Sequence, residues 1–372
     1  MINVILTRFG GGSYELPVQS VEWSGQKYRA PRSINVTLLS IARGGHQPVE
    51  VDCGDAILCR WKDEELFRGT VFSLDHSSDG QLTLTAYDQL YYLVNNSDTY
   101  TFKGLTAAGI LRKLCSDFQL TPGSIADTRH VVSQISEDES LYDMVLRALD
   151  STYKQLGSRH SIRSKSGKVD LLPLKDTVQK WIIESGGNLI SYSASASIEE
   201  TATRVKLHKE GKEGKEGKDG EKGAGAITVV ASSKALQSRY GVLQLYESIS
   251  EELNKAQLQQ RAQAMLKEKG RVKRTLSLEA WGIPSVVAGS GVHVIIPELN
   301  VKRGYFVDED THSFEGNLHT MSLTLTETDE LPEIDPVFNT DGTAKSDTDD
   351  KSDAEKTFAE QLREEILGVE EK

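Results

Sequence analysis

Cysteine is scarce in this chain: Cys53, Cys59 and Cys115 are the only three in 372 residues. Three thiols cannot all pair, and none stands in a Cys-x-x-Cys spacing, so a disulfide scaffold is excluded and reduced, structural thiols are expected. Long apolar runs are missing too, and nothing approaches the roughly 18 residues that cross a bilayer as a helix. The opening MINVILTRFGGG carries neither the basic start nor the small-residue cleavage site of a signal peptide, so the protein is expected to stay where it is made or to travel inside an assembly. Positive charge is in deficit. Lys and Arg number 43 against 55 Asp and Glu, and a net charge of −12 argues against a nucleic-acid binder, which needs a basic face.

Catalytic signatures are lacking as well. There is no His-Glu-x-x-His helix, no Gly-x-Ser-x-Gly elbow and no phosphate-cradling Gly-Lys-Ser/Thr loop. Gly10-Gly11-Gly12 has no lysine beside it and reads as a turn. His293, His312 and His319 are expected on a sheet surface. Asp75-His76 and Asp308 with His312 are the acid–histidine neighbours that invite a dyad or a metal corner, but the two places do not keep a matching set of partners. The run Asp347–Asp353 lacks the spaced ligands and fixed turn of a calcium loop. The chain is therefore expected to be no enzyme and to bind no cofactor or metal.

What the sequence does have is a pattern written twice. VDCGDAILCRW…ELFRGTVFSLDHSSDGQLTLTAYD spans Val51 to Asp88, and VAGSGVHVII…VKRGYFVDEDTHSFEGNLHTMSLTLTE spans Val287 to Glu327. In each, a glycine turn (Gly54, Gly289) opens an alternating strand and an Arg-Gly pair (Arg68-Gly69, Arg303-Gly304) opens a second. A further glycine turn (Gly80, Gly316) leads into a third strand containing Leu-Thr-Leu-Thr, Leu82–Thr85 and Leu323–Thr326. Gly54 precedes Gly69 by the same distance as Gly289 precedes Gly304. Two copies are too few for a solenoid, so they read as two copies of one antiparallel unit. In the first, Ile57, Cys59 and Trp61, then Val71, Ser73 and Asp75, then Leu82, Leu84 and Ala86 are expected to face one way.

The surroundings support a mainly β chain with an α+β insert: two similar small antiparallel β-barrels, helical insertions and an acidic C-terminal tail. Residues 1–95 read as the first barrel, with VILTRF, SVEWSG and SINVTLL alternating and Pro31 and Gly44-Gly45 as breaks. Residues 96–182 read as the insert. There GLTAAGILRKLCSDFQL places Ile110, Leu111, Leu114 and Phe118 on one helical face behind a Thr106 N-cap, and Leu141, Met144, Val145 and Leu149 form the stripe of a second helix with Ser136 and Glu139 as its capping box. A hairpin turns at Ser166-Gly167. Residues 183–335 read as the second barrel, interrupted by a helical insertion at 245–270 and by a Gly-Lys-Glu loop at 208–226. Its glycine period evokes collagen, but it has no proline, and a solvated loop fits better. Residues 336–372 form an acidic linker followed by an amphipathic helix with Phe358, Leu362, Ile366 and Leu367 as candidate docking positions. From Asp341 to Lys372 there are eleven acidic and five basic residues, so 5 − 11 = −6.

The order of these parts resembles a known group. The helix GLTAAGILRKL, the segment ISEDESLYDMVLRALDSTYKQLG…VDLLPL, the helix ending AQAMLKEKGR, the phrase WGIPSVVAGSGVHV and the closing GYFVDEDTHSFEGNLHTMSLTLTE are similar to the baseplate hub proteins of contractile phage tails, the late-control-protein-D-like group of XkdQ/YqbQ type. The likeness covers about residues 1–335. It implies a homotrimeric hub that adapts a sixfold tail tube to a threefold central spike and seeds tube and baseplate assembly. The implied partners are the tail tube protein, the central spike protein and baseplate wedge or LysM-type tail proteins, in a virion or headless phage-like particle made in the bacterial cytoplasm. A tail-associated cell-wall hydrolase and a monomeric two-barrel module binding carbohydrate or protein remain as alternatives.

Overall fold

The computed structural model describes residues 1–39, 50–78, 80–210, 226–249 and 253–327. The Gly44-Gly45 break, most of the Gly-Lys-Glu loop and all of 336–372, with Phe358, Leu362, Ile366 and Leu367, lie outside the described residues. The fold is mainly β. The chain divides into two compact units: one runs from Met1 to Ser193 and resumes at Leu276, and the other is Ala194–Thr275.

The first unit opens with seven strands, β1 (Ile2–Thr7), β2 (Ser13–Glu15), β3 (Val18–Gln26), β4 (Arg29–Leu39), β5 (Ala56–Trp61), β6 (Glu64–His76) and β7 (Gln81–Tyr87). Pro31, expected as a break between strands, lies inside β4 near its start. The strands pair antiparallel in the order β3-β4-β7-β6-β5-β1-β2. Alternation sends Val4 and Leu6, Ile34 and Val36, Ile57 and Cys59, and Leu82 and Leu84 into one shared core. Each fully buried aliphatic side chain there contributes about 1.5–3 kcal/mol. Residues from β3 and β1, strands far apart along the pairing path, line that same core, and Leu16 N–H donates to Val4 C=O at 2.8 Å. The sheet therefore wraps round its core in the manner of a small barrel.

After α1 (Tyr91–Asn95) comes the α+β insert: β8 (Ser97–Thr106), α2 (Ala107–Asp117), β9 (Pro122–Ile125), β10 (Val131–Ser140), α3 (Leu141–Leu156), β11 (His160–Lys165) and β12 (Lys168–Pro173). Thr106 caps α2 by accepting from Gly109 N–H at 3.1 Å. The cap of α3 is Ser140, which accepts from Asp143 N–H. Ser136, expected in that role, is buried in β10. The two helices bury Ile110, Leu111, Leu114, Met144 and Val145 in a core of their own.

The chain leaves this unit through β13 (Val178–Glu184) and β14 (Leu189–Ser197). The second unit holds β15 (Arg204–Lys209), β16 (Ile227–Ser232), α4 (Lys234–Tyr240), β17 (Gln244–Ser248) and α5 (Lys255–Lys269). Its sheet runs β16-β15-β17, and α5 packs Leu258 and Ala262 against Val205, Leu207, Val229 and Ala231. Asn254 and Gln257 close a capping box at the start of α5. The segment expected as a helical insertion over 245–270 thus belongs to a larger unit with its own sheet and core.

The return leg is β18 (Lys273–Trp281), β19 (Gly291–Ile296), β20 (Val301–Glu315) and β21 (Leu318–Glu327). The sheet continues as β14-β18-β21-β20, with β19 beside β20 and β13 beside β19. Ile183, Leu276, Val292, Val294, Val307, Leu323 and Leu325 fill its core. One expectation is corrected here: β13 joins β19 in parallel, so the second module is not wholly antiparallel.

Candidate functional site

The two stretches close their first turns with matching backbone hydrogen bonds. In the first copy Gly54 N–H donates to Val71 C=O (2.8 Å), Val71 N–H to Asp55 C=O (2.9 Å) and Asp55 N–H to Asp52 C=O (3.2 Å). In the second, Gly289 N–H donates to Val307 C=O (2.8 Å), Val307 N–H to Ser290 C=O (2.9 Å) and Ser290 N–H to Val287 C=O (2.9 Å). The side chain after the glycine closes each turn: the Asp55 carboxylate accepts from Asp52 N–H at 3.0 Å, and Ser290 Oγ accepts from Val287 N–H at 3.1 Å. Both glycines hold positive φ, +98° and +82°, which other residues adopt only with strain. A bulge then follows at the same place in each middle strand, between Val71 and Ser73 and between Val307 and Glu309.

The placement of the six repeat glycines differs in part from expectation. Gly54, Gly80, Gly289 and Gly316 sit in turns with positive φ. Gly69 and Gly304 lie inside β6 and β20, so neither Arg-Gly pair opens a strand. Gly69 is required for another reason: a Cβ there would meet the Tyr87 carbonyl oxygen at 2.2 Å. The matched spacings also mislead. Thr70 pairs with Ala56 and Phe306 with Gly291, which puts Gly304 level with Arg68, and Leu323 falls level with Leu84. The bulge also shifts the expected inward row, so that Leu74 packs on the core while Ser73 and Asp75 are exposed.

Where the copies diverge, a polar site appears. β20 lies between β19 and β21 over its first half, and between β3 and β21 beyond the bulge. Tyr305 and Val307 face the second core, and Phe314 enters the first. The positions between them are Asp310 and His312, both buried. Histidines 312 and 319, expected on a sheet surface, are therefore interior residues. His293 is half-buried.

Arg32 on β4 grips the Asp310 carboxylate with both guanidinium ends, at 2.7 and 2.5 Å. Its guanidinium carbon lies 4.2 Å from the Trp23 ring centre, a cation–π contact. Gly25 makes room for it, since a Cβ would come within 2.4 Å of the Arg32 Nη1. Asp310 also accepts from Ala288 N–H at 2.6 Å, tying the second glycine turn to the network. Asp88 accepts from Leu90 N–H at 2.9 Å beside the Arg32 backbone. Burial pushes its carboxyl up to about 7, against the pull of that N–H and of Arg32.

His312 Nε2 is 2.9 Å from the Val286 carbonyl, and His312 Nδ1 is 2.9 Å from His319 Nε2. A carbonyl can only accept, so Nε2 of His312 carries a proton; in the neutral ring Nδ1 then accepts from His319 Nε2–H. Burial pushes His312 down to about 4, with Asp310 opposing, and His319 down to about 3. Both rings are neutral near pH 7. His319 stacks on Phe314 with ring centres 4.1 Å apart, and Trp61 of β5 lies 5.1 Å from Phe314. Gly282 makes this possible, because a Cβ there would collide with the His319 ring at 2.2 Å.

This arrangement is a latch suited to holding strands together. Among the described residues, Arg32 Nε and Trp23 Nε1 are buried there without a partner, while the Asp310, His312 and His319 groups face partners inside the fold. Burial pushes the Cys59 thiol up to about 12 and the Cys115 thiol up to about 11, far from a nucleophile's range. Among the described residues no group of three His, Cys, Asp or Glu is placed to hold a metal. Asp308 accepts from the Thr326 hydroxyl, and Asp75 and His76 are exposed. A signal for the buried histidines was present: His312 shares the alternation parity of Phe314, and His319 that of Met321, Leu323 and Leu325.

A profile of the YqbQ-like family matches residues 21–326, from β3 to the end of the doubled pattern. The chain belongs to the YqbQ-like family. This YqbQ-like protein is 40% identical over 322 residues to the phage-like element PBSX protein XkdQ of Bacillus subtilis, covering 86% of this chain and 95% of that one. In three dimensions it resembles the 43 kDa tail protein of prophage MuSo2 from Shewanella oneidensis, with TM-score 0.64, 16% identity, 87% of this chain and 98% of the other. It also resembles the E. coli c3393 protein, described as a type VI secretion component with structural similarity to the T4 tail proteins gp27 and gp5, at TM-score 0.53, 10% identity and 87% and 77% coverage. The fold is thus that of phage tail proteins.

Proposed function

We propose that the protein is a structural hub of a contractile phage or phage-like baseplate. Three chains form a ring that joins a sixfold tail tube to a threefold spike and seeds assembly of both. The single observation that carries this reading is the doubled meander, β5–β7 and β19–β21, with matching turn hydrogen bonds and matching bulges in one chain. Three copies would present six near-equivalent faces, so each tube contact repeats nearly the same chemistry despite the change of symmetry. The division into a first barrel (1–95), an insert (96–182), a second barrel (183–335) and a docking tail (336–372) belongs to this proposal.

The rest of the molecule is compatible with a scaffold role. Its most concentrated polar chemistry is sealed inside the seam. Among the described residues β14 ends the pairing path and is exposed on both faces, Ile190 and Tyr192 included, and an edge strand of that kind is a template for another chain. The proposed partners are a second and third copy, the tube protein, the spike protein and the wedge or LysM-type tail proteins. Sedimentation at assembly concentration, alone and with tube and spike proteins, tests the reading together with imaging of the particle. Three copies under a sixfold tube are expected. A lasting monomer in the presence of both partners would overturn it.

A further inference from the structure

The two modules of the first unit follow the same strand order. One pairs as β3-β4-β7-β6-β5 and the other as β14-β18-β21-β20-β19. β14 therefore stands where β3 stands, and β20 where β6 stands. The modules meet by one kind of contact. Beyond its bulge, on the edge that β19 leaves, β20 takes up β3 antiparallel, from Glu309 opposite Gln26 to Glu315 opposite Ser20. At that joint Val21 and Trp23 of β3 are 1% and 6% exposed.

The complementary pair of strands is left open. Among the described residues Ser73–His76 of β6 pairs only with β7, because β5 stops at Ala56, opposite Thr70. This is the edge that β20 offers to β3. Among the described residues β14 pairs only with β18, and its part up to Ser193 lies in the first unit. Ser191 Oγ donates to the Glu279 carboxylate at 3.3 Å on the outer face, so alternation turns Ile190 and Tyr192 to the core side. There they are 46% and 38% exposed, whereas the core-side residues of β3 are buried. The sequence of β14, LISYSASAS, has no charge and no proline, the usual protections of a lone edge. β2, at the other end of the pairing path, is protected by being only three residues long.

We propose that β14 pairs antiparallel with the open edge of β6 in a second copy, repeating between chains the joint that β3 and β20 make within one. The partner is another copy of this chain because each copy already carries both halves of the contact. A head-to-tail interface of this kind closes into a ring when its rotation fits. In the threefold ring of the hub reading, on which this inference rests, three joints within chains would alternate with three between them. The joint between chains would lack the latch, since Leu74 and His76 stand where Asp310 and His312 do.

The test uses full chains at assembly concentration with tube and spike proteins present, in a Cys53→Ser background that leaves only the two buried thiols. One chain carries Ser193→Cys and another Asp75→Cys. A short bismaleimide then joins opposite or diagonal neighbours on paired strands, about 5–8 Å apart. A dimer-sized product is expected from the mixture and from neither chain alone, and Ser191→Cys, on the same face as Ser193, is a second donor of the cross-link. Adding Tyr192→Lys is expected to abolish the product and the trimer, because a charge on the core side of an edge strand blocks pairing. Unchanged circular dichroism in that variant shows that the loss is not unfolding, and full assembly of it would overturn the proposal. Product from the Ser193→Cys chain alone would overturn it in favour of β14 pairing with itself. A trimer that gives no product with either donor would overturn the strand assignment and leave the hub reading standing, whereas a lasting monomer would overturn both.

Discussion

The two meanders share a turn, a bulge and a register, yet equivalent positions in them live in opposite surroundings. Leu74 and Asp310 are counterparts, and so are His76 and His312. In the first copy the strand runs out at His76, and that histidine is exposed. In the second the strand continues to Glu315 and pairs with β3, so Asp310 and His312 are sealed between two cores. The two frames are similar; the extra length of β20 makes one of them the joint. An added length of strand costs little by itself. What it demands is a partner for every polar group it buries, and Arg32, Ala288 N–H, Val286 C=O and His319 meet that demand.

The sharpest way to break the comparison is at the ion pairs. Arg32→Ala leaves the Asp310 carboxylate buried without its counter-charge, and a loss of about 3–5 kcal/mol in chemical denaturation is expected. Arg68→Ala in the first copy removes the half-exposed pair with Glu65 and is expected to cost under about 1 kcal/mol, because solvent screens that pair. Equal losses would show that the seam is no more than another surface pair.

At the core the copies should agree. Leu84 and Leu323 are counterparts and both are buried, so Leu84→Ala and Leu323→Ala are each expected to cost about 2–5 kcal/mol in urea melts. A loss below 1 kcal/mol in one of them would break the equivalence.

Acid should weaken the second copy selectively. His312 and His319 titrate near 4 and 3 when folded and near the ordinary 6.5 when unfolded. The unfolded chain therefore binds more protons between those values, and stability falls as pH drops below about 6.5 until the folded values are reached, by at most about 1.4 kcal/mol per pH unit for each ring. Asp88 works in the opposite direction: its folded value near 7 lies above the unfolded one, so its contribution to stability grows as pH falls from about 7 toward 4. His319→Phe is expected to flatten the loss between pH 6.5 and 4 in thermal melts.

The turns give the smallest contrast. Alanine at Gly54 or Gly289 strains a left-handed backbone by about 1–2 kcal/mol. At Gly289 the new methyl would also meet Ser161 Oγ at 2.5 Å, whereas at Gly54 it meets nothing. Gly289→Ala should therefore melt lower than Gly54→Ala, and the reverse order would show that the second turn is not packed as described.

Much of this frame could be read along the chain. Period-two alternation marked Ile57, Cys59 and Trp61 as inward, and the stripe Ile110, Leu111 and Leu114 marked a buried helix face, because each pattern reports a neighbour only a few residues away. The copies of the repeat were found but misaligned: a shift of two residues in a strand keeps every side chain on its face, so Leu82–Thr85 and Leu323–Thr326 matched in letters while the true partners are Leu84 and Leu323. The latch was not legible. Arg32 and Asp310 are 278 positions apart, and nothing near either predicts the other.

By itself, then, the sequence determined most of the strands, the inward faces of β5 and β7, the two glycine turns and the buried stripes of α2 and α3, since each follows from local backbone preference and local alternation. Only the tertiary structure decided that β20 leaves β19 for β3 at its bulge, that two histidines lie inside, and that Arg32 neutralises Asp310. Burial of a polar residue depends on which distant strand comes to lie over it, and that is settled when the whole sheet closes around its cores.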